Sequence, residues 1–178
     1  AKGLNKSFKL YGDQSPITTH LIAPIAEEFE SSKFIFLIRD PRDVVLSYSK
    51  IKNHPAKNWK YTVWKWMDSI AMYDELIAHY GNDKAIVIRY EDLAENPEDG
   101  VKQVCQFLKI EFEEDNMMNM RNDTAEKLGV AQLDIHANLK NKVNTSAVGK
   151  WKKELDGDVV NKIQSKTKDN MLRFGYEL

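Results

Sequence analysis

The sequence predicts a layered α/β protein whose parallel sheet is covered on both faces. Two short apolar runs carry that prediction, FIFLI at 34–38 and AIVIR at 85–89, each continuous rather than alternating in polarity. Helical periodicity follows both, and the segment between them holds the dozen or more residues that a parallel crossover requires. Two strands do not complete such a sheet. Further strands are therefore expected in 4–12 and in 111–150, or outside this stretch of chain.

Taken in order, residues 16–30 read as a helix with Leu21, Ile22, Ile25, Ala26 and Phe29 on one side. Pro16 suits its first turn, whereas Pro24 should kink or restart it. A helix over 41–52 follows the first strand. A longer one runs from Tyr61 to Tyr80, its turns marked by Val63, Trp64, Met67, Ile70, Ala71, Asp74 and Leu76, and Gly81 ends it. After the second strand, Asn96 and Pro97 supply a cap and a first-turn proline, and Glu98 and Asp99 set negative charge at the positive end of a helix reaching Leu108. The polar stretch 111–150 reads as short helices and loop. A last amphipathic helix, 156–173, presents Val159, Val160, Ile163, Thr167 and Met171.

A chain of 178 residues suits one domain. Its 42% hydrophobic and 30% charged residues, with only 8 Gly and 5 Pro, exclude the disordered and fibrous classes. No apolar run approaches the roughly 18–20 residues that span a bilayer, and Ala1–Tyr11 lacks the apolar core of a signal peptide, so no membrane span and a cytoplasmic location are expected. Cys105, the only cysteine, stands in an apolar-periodic stretch and reads as a small buried hydrophobe rather than a nucleophile. A net charge of -1 argues against a general nucleic-acid binder. Any anion site must be local, and no metal site is read.

The first strand runs into the charge cluster RDPRD. Asp40 is a good N-cap, Pro41 fits the first helical position and Asp43 follows the cap by three, so capping accounts for both aspartates and the proline. Arg39 is left over, because a cation before a helix N-terminus opposes the macrodipole. Ser47 shares a helical face with Asp40 and Asp43, so arginine, hydroxyl and backbone amides would together suit a phosphate. The other reading is a surface ion pair for Arg39 with Ser47 as filler. Tyr90, just past the second strand, would stack on a planar base or bond a phosphate, or else pack under the next loop. From Ala137 through Lys153 there is no acid but there are Lys140, Lys142, Lys150, Lys152 and Lys153. That excess suits a polyanionic small molecule, or a solvated helix start anchored by Trp151.

Three stretches in this order, FIFLIRDPRDVVLSYS, VIRYEDLAENPEDGVKQVCQFLKI and VNTSAVGKWKKEL, resemble the sulfotransferase family that uses 3′-phosphoadenosine 5′-phosphosulfate. The resemblance covers about Tyr11 to the C-terminus; its first two motifs together are specific, and the third is weaker. It implies a three-layer P-loop-NTPase-like fold and transfer of a sulfuryl group to a hydroxyl or amine acceptor, either a small molecule or a peptide. It implies that Arg39 and Ser47 bind the cofactor's 3′-phosphate, that Tyr90 lies against adenosine, and that the loop before Trp151 closes over the nucleotide. Cytosolic members carry Arg-Lys-Gly in that loop where this chain has Asn144, Thr145 and Ser146. The chain therefore looks nearer the bacterial and tyrosylprotein style, with Lys140, Lys142, Thr145 and Ser146 as the contacts.

The family also holds the 5′-phosphosulfate on a phosphate-binding loop after its first strand. The eight glycines here are scattered and form no such loop, so the expectation is a domain N-terminally incomplete by about one strand and helix. A catalytic base is not assigned. His20 and Asp13 lie near the place where cytosolic members carry a histidine, and other members use a glutamate near the phosphate loop. Trp59, Tyr61, Trp64, Trp66 and Tyr73 would pack helices or line an acceptor pocket. Two other classes stay open: a nucleotide kinase-like phosphotransferase using ATP with magnesium, and a non-catalytic relative that binds a nucleotide or a partner.

Overall fold

The structure, a computed structural model, describes residues 10–14, 18–51, 54–114 and 145–178. The chain divides into two compact units, 1–32 and 33–178. In the first, a 3-10 turn over Thr18–Leu21 leads into helix α1, Ile22–Glu28. The expected restart is seen: with Ile22 as the first helical residue, Pro24 falls in the first turn, where a missing N–H costs nothing. Ile22 and Ala26, four apart, are the buried pair, whereas Leu21 and Phe29 are exposed. Residues 10–14 carry no regular element. The strands expected within 4–9 and 115–144 lie outside the described residues.

In the second unit, β1 (Phe34–Ile38) and β2 (Ala85–Arg89) pair in parallel, from Phe34↔Ala85 to Ile38↔Arg89. The observed fold is thus α/β, with a two-stranded parallel sheet among the described residues. Burial of β1 alternates: Phe34, Phe36 and Ile38 are half-buried to buried, whereas Ile35 is 45% and Leu37 56% exposed. A strand sends successive side chains to opposite faces, so cover on one face reaches only every second residue. No side chain of β2 is exposed, so among the described residues cover reaches both faces of β2 and one face of β1.

The crossover consists of α2 (Pro41–Ser49), a 3-10 turn at Pro55–Lys57, α3 (Trp59–Tyr80) and a 3-10 turn at Asn82–Lys84. α3 starts two residues earlier than the periodicity suggests because the Asn58 side chain accepts the Lys60 N–H at 3.0 Å. It ends at Gly81, whose φ of 87° lies in the left-handed region. Its buried strip is Thr62, Val63, Trp66, Ile70 and Leu76. Beyond β2 come α4 (Tyr90–Glu95), not expected from the sequence, and α5 (Pro97–Leu108), which buries Cys105. Among the described residues from 145 on, a 3-10 turn at Thr145–Ala147 is followed by α6 (Trp151–Glu154) and α7 (Gly157–Arg173).

Two apolar clusters fix the end of β1 in place. Ile38, Trp66, Ile70, Met171 and Tyr176 form one, with Val44, Val87 and Phe174 against it. Val45, Val63 and Ile163 form the other, with Trp59, Leu155 and Val159. α7 contributes Ile163, Thr167 and Met171, at spacing four, all nearly inaccessible to solvent, and the Thr167 hydroxyl is satisfied by the Ile163 carbonyl at 2.8 Å. Each fully buried Ile or Met is worth about 1.5–3 kcal/mol. The turns that leave β1 and β2 therefore rest on a rigid floor.

Candidate functional site

Because Ile38 pairs with Arg89, the next residues, Arg39 and Tyr90, emerge side by side at the carboxyl end of the sheet. The Arg39 guanidinium carbon lies 4.6 Å from the centre of the Tyr90 ring, a cation–π contact. Its Nη2 donates to the Ala147 carbonyl at 2.5 Å, while its buried Nε has no hydrogen-bond partner among the described residues. No carboxylate pairs with Arg39 among the described residues. The Arg39 carbonyl accepts the indole N–H of Trp66 at 2.9 Å, which gives that buried ring the polar partner it needs.

Asp40 caps α2 as expected, accepting the Arg42 N–H at 2.8 Å. Its carboxylate also takes the Arg42 guanidinium, from Nη2 at 2.7 Å and from Nε at 3.0 Å, so the nearest acid to Arg39 in sequence is spent on Arg42. Arg42 is itself 3% exposed; it stacks 3.8 Å over the Trp151 ring and donates from Nη2 to the Glu177 carbonyl at 2.7 Å. Asp43 departs from its expected capping role. Only 1% exposed, its two oxygens accept the N–H groups of Gly149 at 2.6 Å and Trp151 at 3.0 Å. Glu91 joins the two strand ends to the C-terminal tail, accepting Asp40 N–H at 2.9 Å and Tyr176 O–H at 3.0 Å. Burial, and then the Glu91 charge, hold the Tyr176 hydroxyl protonated well above the ordinary tyrosine range.

Of the residues singled out in the sequence, Arg39, Tyr90 and the turn Thr145–Ala147 are brought together. Ser47 is exposed on α2. It lies one turn beyond Asp43, which bonds Gly149 and Trp151, and one turn before Lys50, which pairs with Glu154 at 2.6 Å, so its strip of α2 faces segment 149–154. Thr145 and Ser146 are exposed, as are Lys150, Lys152 and Lys153. Lys140 and Lys142 lie outside the described residues. His20 sits in the 3-10 turn and Asp13 in the irregular stretch of the 1–32 unit, both exposed.

The aromatic segment divides. Trp66 is core, Trp59 packs on the second cluster and Tyr73 meets Phe36 edge-on at 5.0 Å. Trp64, 55% exposed, and Tyr61 lie together at the surface, 5.9 Å apart. Sequence reasoning missed Arg42, Glu91 and Tyr176. Two of these had a signal, an arginine and a glutamate adjoining the strand-end residues, but nothing local marks Tyr176.

The family model for the sulfotransferase family matches residues 3–114, more than half of the chain. The chain belongs to the sulfotransferase family. Among curated proteins it is similar to a protein-tyrosine sulfotransferase of Drosophila melanogaster, 24% identical over 155 residues, which cover 83% of this chain and 31% of the fly protein. Among solved structures, the sulfotransferase domain from the curacin biosynthetic pathway has a TM-score of 0.74 at 24% identity, covering 93% of this chain and 62% of that one. Mouse sulfotransferase SULT7A1, solved in complex with PAP, has a TM-score of 0.53 at 18% identity, covering 83% of this chain and 61% of that one. The chain thus spans about a third of the length of the fly relative, and the structural likenesses speak for a sulfotransferase fold.

One expectation is corrected by these relatives. The cytoplasmic location rested only on the lack of a long apolar run, and the matching curated proteins include protein-tyrosine sulfotransferases of two animals, which overturns it. Among the described residues no helix is long and apolar enough to cross a membrane.

Proposed function

We propose that this chain supplies the 3′-phosphate- and adenosine-binding half of a sulfotransferase that uses 3′-phosphoadenosine 5′-phosphosulfate and releases adenosine 3′,5′-bisphosphate. The observation that carries the proposal is Arg39: a guanidinium on the Tyr90 ring, with a buried Nε lacking a partner among the described residues and with the neighbouring Asp40 already neutralised by Arg42. An anion supplies what that donor lacks. Arg39 and Ser47 hold the 3′-phosphate, Tyr90 lies against the adenosine, and Thr145 and Ser146, with Lys140 and Lys142, close over it. The same reading carries the three-layer P-loop-NTPase-like sheet, to which the exposed apolar side chains of Ile35 and Leu37 lend support.

When bound, the phosphosulfate donor supplies the sulfuryl group; this chain's own work is to bind and orient it. Asp40, Asp43 and Glu91 each already accept two or more hydrogen bonds, so these residues act in positioning rather than in taking a proton from the acceptor. Family membership favours sulfuryl transfer over the nucleotide-kinase alternative. The fly relative's name favours a peptide tyrosine hydroxyl as acceptor over a small molecule. Calorimetric titration of adenosine 3′,5′-bisphosphate tests the site. Arg39→Ala should weaken binding by about 1.5–3 kcal/mol, the worth of a charge-assisted contact, and an unchanged affinity would reject the assignment.

A further inference from the structure

The short helix α6 begins without a cap of its own. Its N-cap position is Lys150, whose ammonium has no acceptor to offer and makes no capping hydrogen bond. The amides at such a start need partners, and here they find one 106 and 108 residues away in sequence. Asp43 takes the Gly149 N–H on one carboxylate oxygen and the Trp151 N–H on the other. Gly149 makes this possible: at φ of 70° it occupies the left-handed region, where a side chain would strain the turn that aims both amides at one carboxylate. On the same segment, Arg39 holds the Ala147 carbonyl and Arg42 stacks on the Trp151 ring. A cation thus grips a carbonyl of the loop, and an anion grips its amides.

We infer that Asp43 is a positioning residue for nucleotide binding: it caps α6 from a different helix and so fixes segment 145–151 against the start of α2, where Arg39 emerges. The inference rests on the reading of Thr145 and Ser146 as the part of the chain that closes over the nucleotide. Asp43 itself touches no ligand; it sets how long the closed loop persists. Asparagine in its place keeps one acceptor oxygen and turns an NH2 group toward a donor, so one of the two loop bonds is lost at nearly constant volume.

The consequence is kinetic. A loop fixed less firmly releases its ligand sooner while the encounter step is little changed, because differences among variants of one site fall mostly in dissociation. Stopped-flow measurement with adenosine 3′,5′-bisphosphate on the whole protein should show Asp43→Asn raising the dissociation rate about tenfold or more with association nearly unchanged. Ile163→Val, which loosens the core without touching the loop, should leave dissociation unaltered. If Arg39→Ala weakens binding but Asp43→Asn dissociates like the wild type, the inference about Asp43 falls and the binding site stands. If Arg39→Ala binds normally, the site reading itself falls. Should Asp43→Asn fail to fold, amide exchange in the wild-type protein decides: ligand should slow exchange at Gly149 and Trp151, and unchanged rates there would overturn the inference.

Discussion

Two helices of this chain begin with the same pattern, a capping residue, a proline, one intervening residue and an aspartate: Asp40-Pro41-Arg42-Asp43 at α2 and Asn96-Pro97-Glu98-Asp99 at α5. At α5 everything stays local. Asn96 accepts the Asp99 N–H at 3.4 Å and donates to the Asp99 carboxylate at 2.6 Å, both at the surface. At α2 the cap and its ion pair with Arg42 are local, but Arg42 also reaches across the fold to Trp151 and Glu177, and Asp43 reaches Gly149 and Trp151, all from buried positions. A helix-start signature therefore identifies where a helix begins and leaves open what its third residue is for. Burial decides that. A buried carboxylate must find donors wherever the fold puts them, while an exposed one is satisfied by water and its own helix.

The comparison can be broken most severely at Arg42. Arg42→Met removes the partner of the buried Asp40 carboxylate, and chemical denaturation should show a loss of about 3–5 kcal/mol. A loss no greater than for a surface residue would mean that α2's start is as tolerant as α5's. Asp43→Asn comes next. It leaves one loop amide facing a donor, and about 1–3 kcal/mol should be lost, read in the same experiment. The matched change at α5, Asn96→Ala, removes an exposed cap worth about 1 kcal/mol, and Asp99→Ala should cost less. Equal losses at Asp43 and Asp99 would erase the distinction between the two starts.

A pH-dependent effect of similar size to that at Asn96 concerns the tail that Arg42 and Glu91 hold. The folded protein keeps the Tyr176 hydroxyl protonated at pH values where the unfolded chain, with an ordinary value near 10, releases the proton. The unfolded state then binds fewer protons than the folded one, so this residue's contribution is complete below pH about 10 and declines as pH rises beyond it. Tyr176→Phe should lower stability at neutral pH by about 1 kcal/mol and flatten the alkaline decline. An identical alkaline slope in the variant would assign that decline to another group.

Much of the frame was legible because its signals are local. Continuous apolar runs gave both strands to the residue, and the Asp40 and Asn96 caps with the prolines that follow them gave the starts of two helices. The helix α4 was hidden, since Tyr90–Glu95 is a single short stretch between a strand and a cap and shows no periodicity of its own. On α3 the strip through Val63, Trp66 and Ile70 is the buried one, and Trp64 faces out; both tryptophans suit a helix face, and only packing against Ile38 and Met171 separates them. At the candidate site, Arg39 and Tyr90 were visible as residues that follow strands. The grip of Asp43 on the loop and of Glu91 on Tyr176 could not be read, because partners more than 80 residues apart leave no pattern in a single sequence.

The central claim is that Arg39, unpaired by any carboxylate among the described residues, holds a ribose 3′-phosphate. Its most direct test is calorimetric affinity for adenosine 3′,5′-bisphosphate compared with adenosine 5′-monophosphate, which lacks that phosphate, in the wild type and in Arg39→Ala. The wild type should prefer the bisphosphate by about tenfold or more, and Arg39→Ala should lose most of that preference through the weakened bisphosphate alone. A preference that survives the substitution intact would contradict the account.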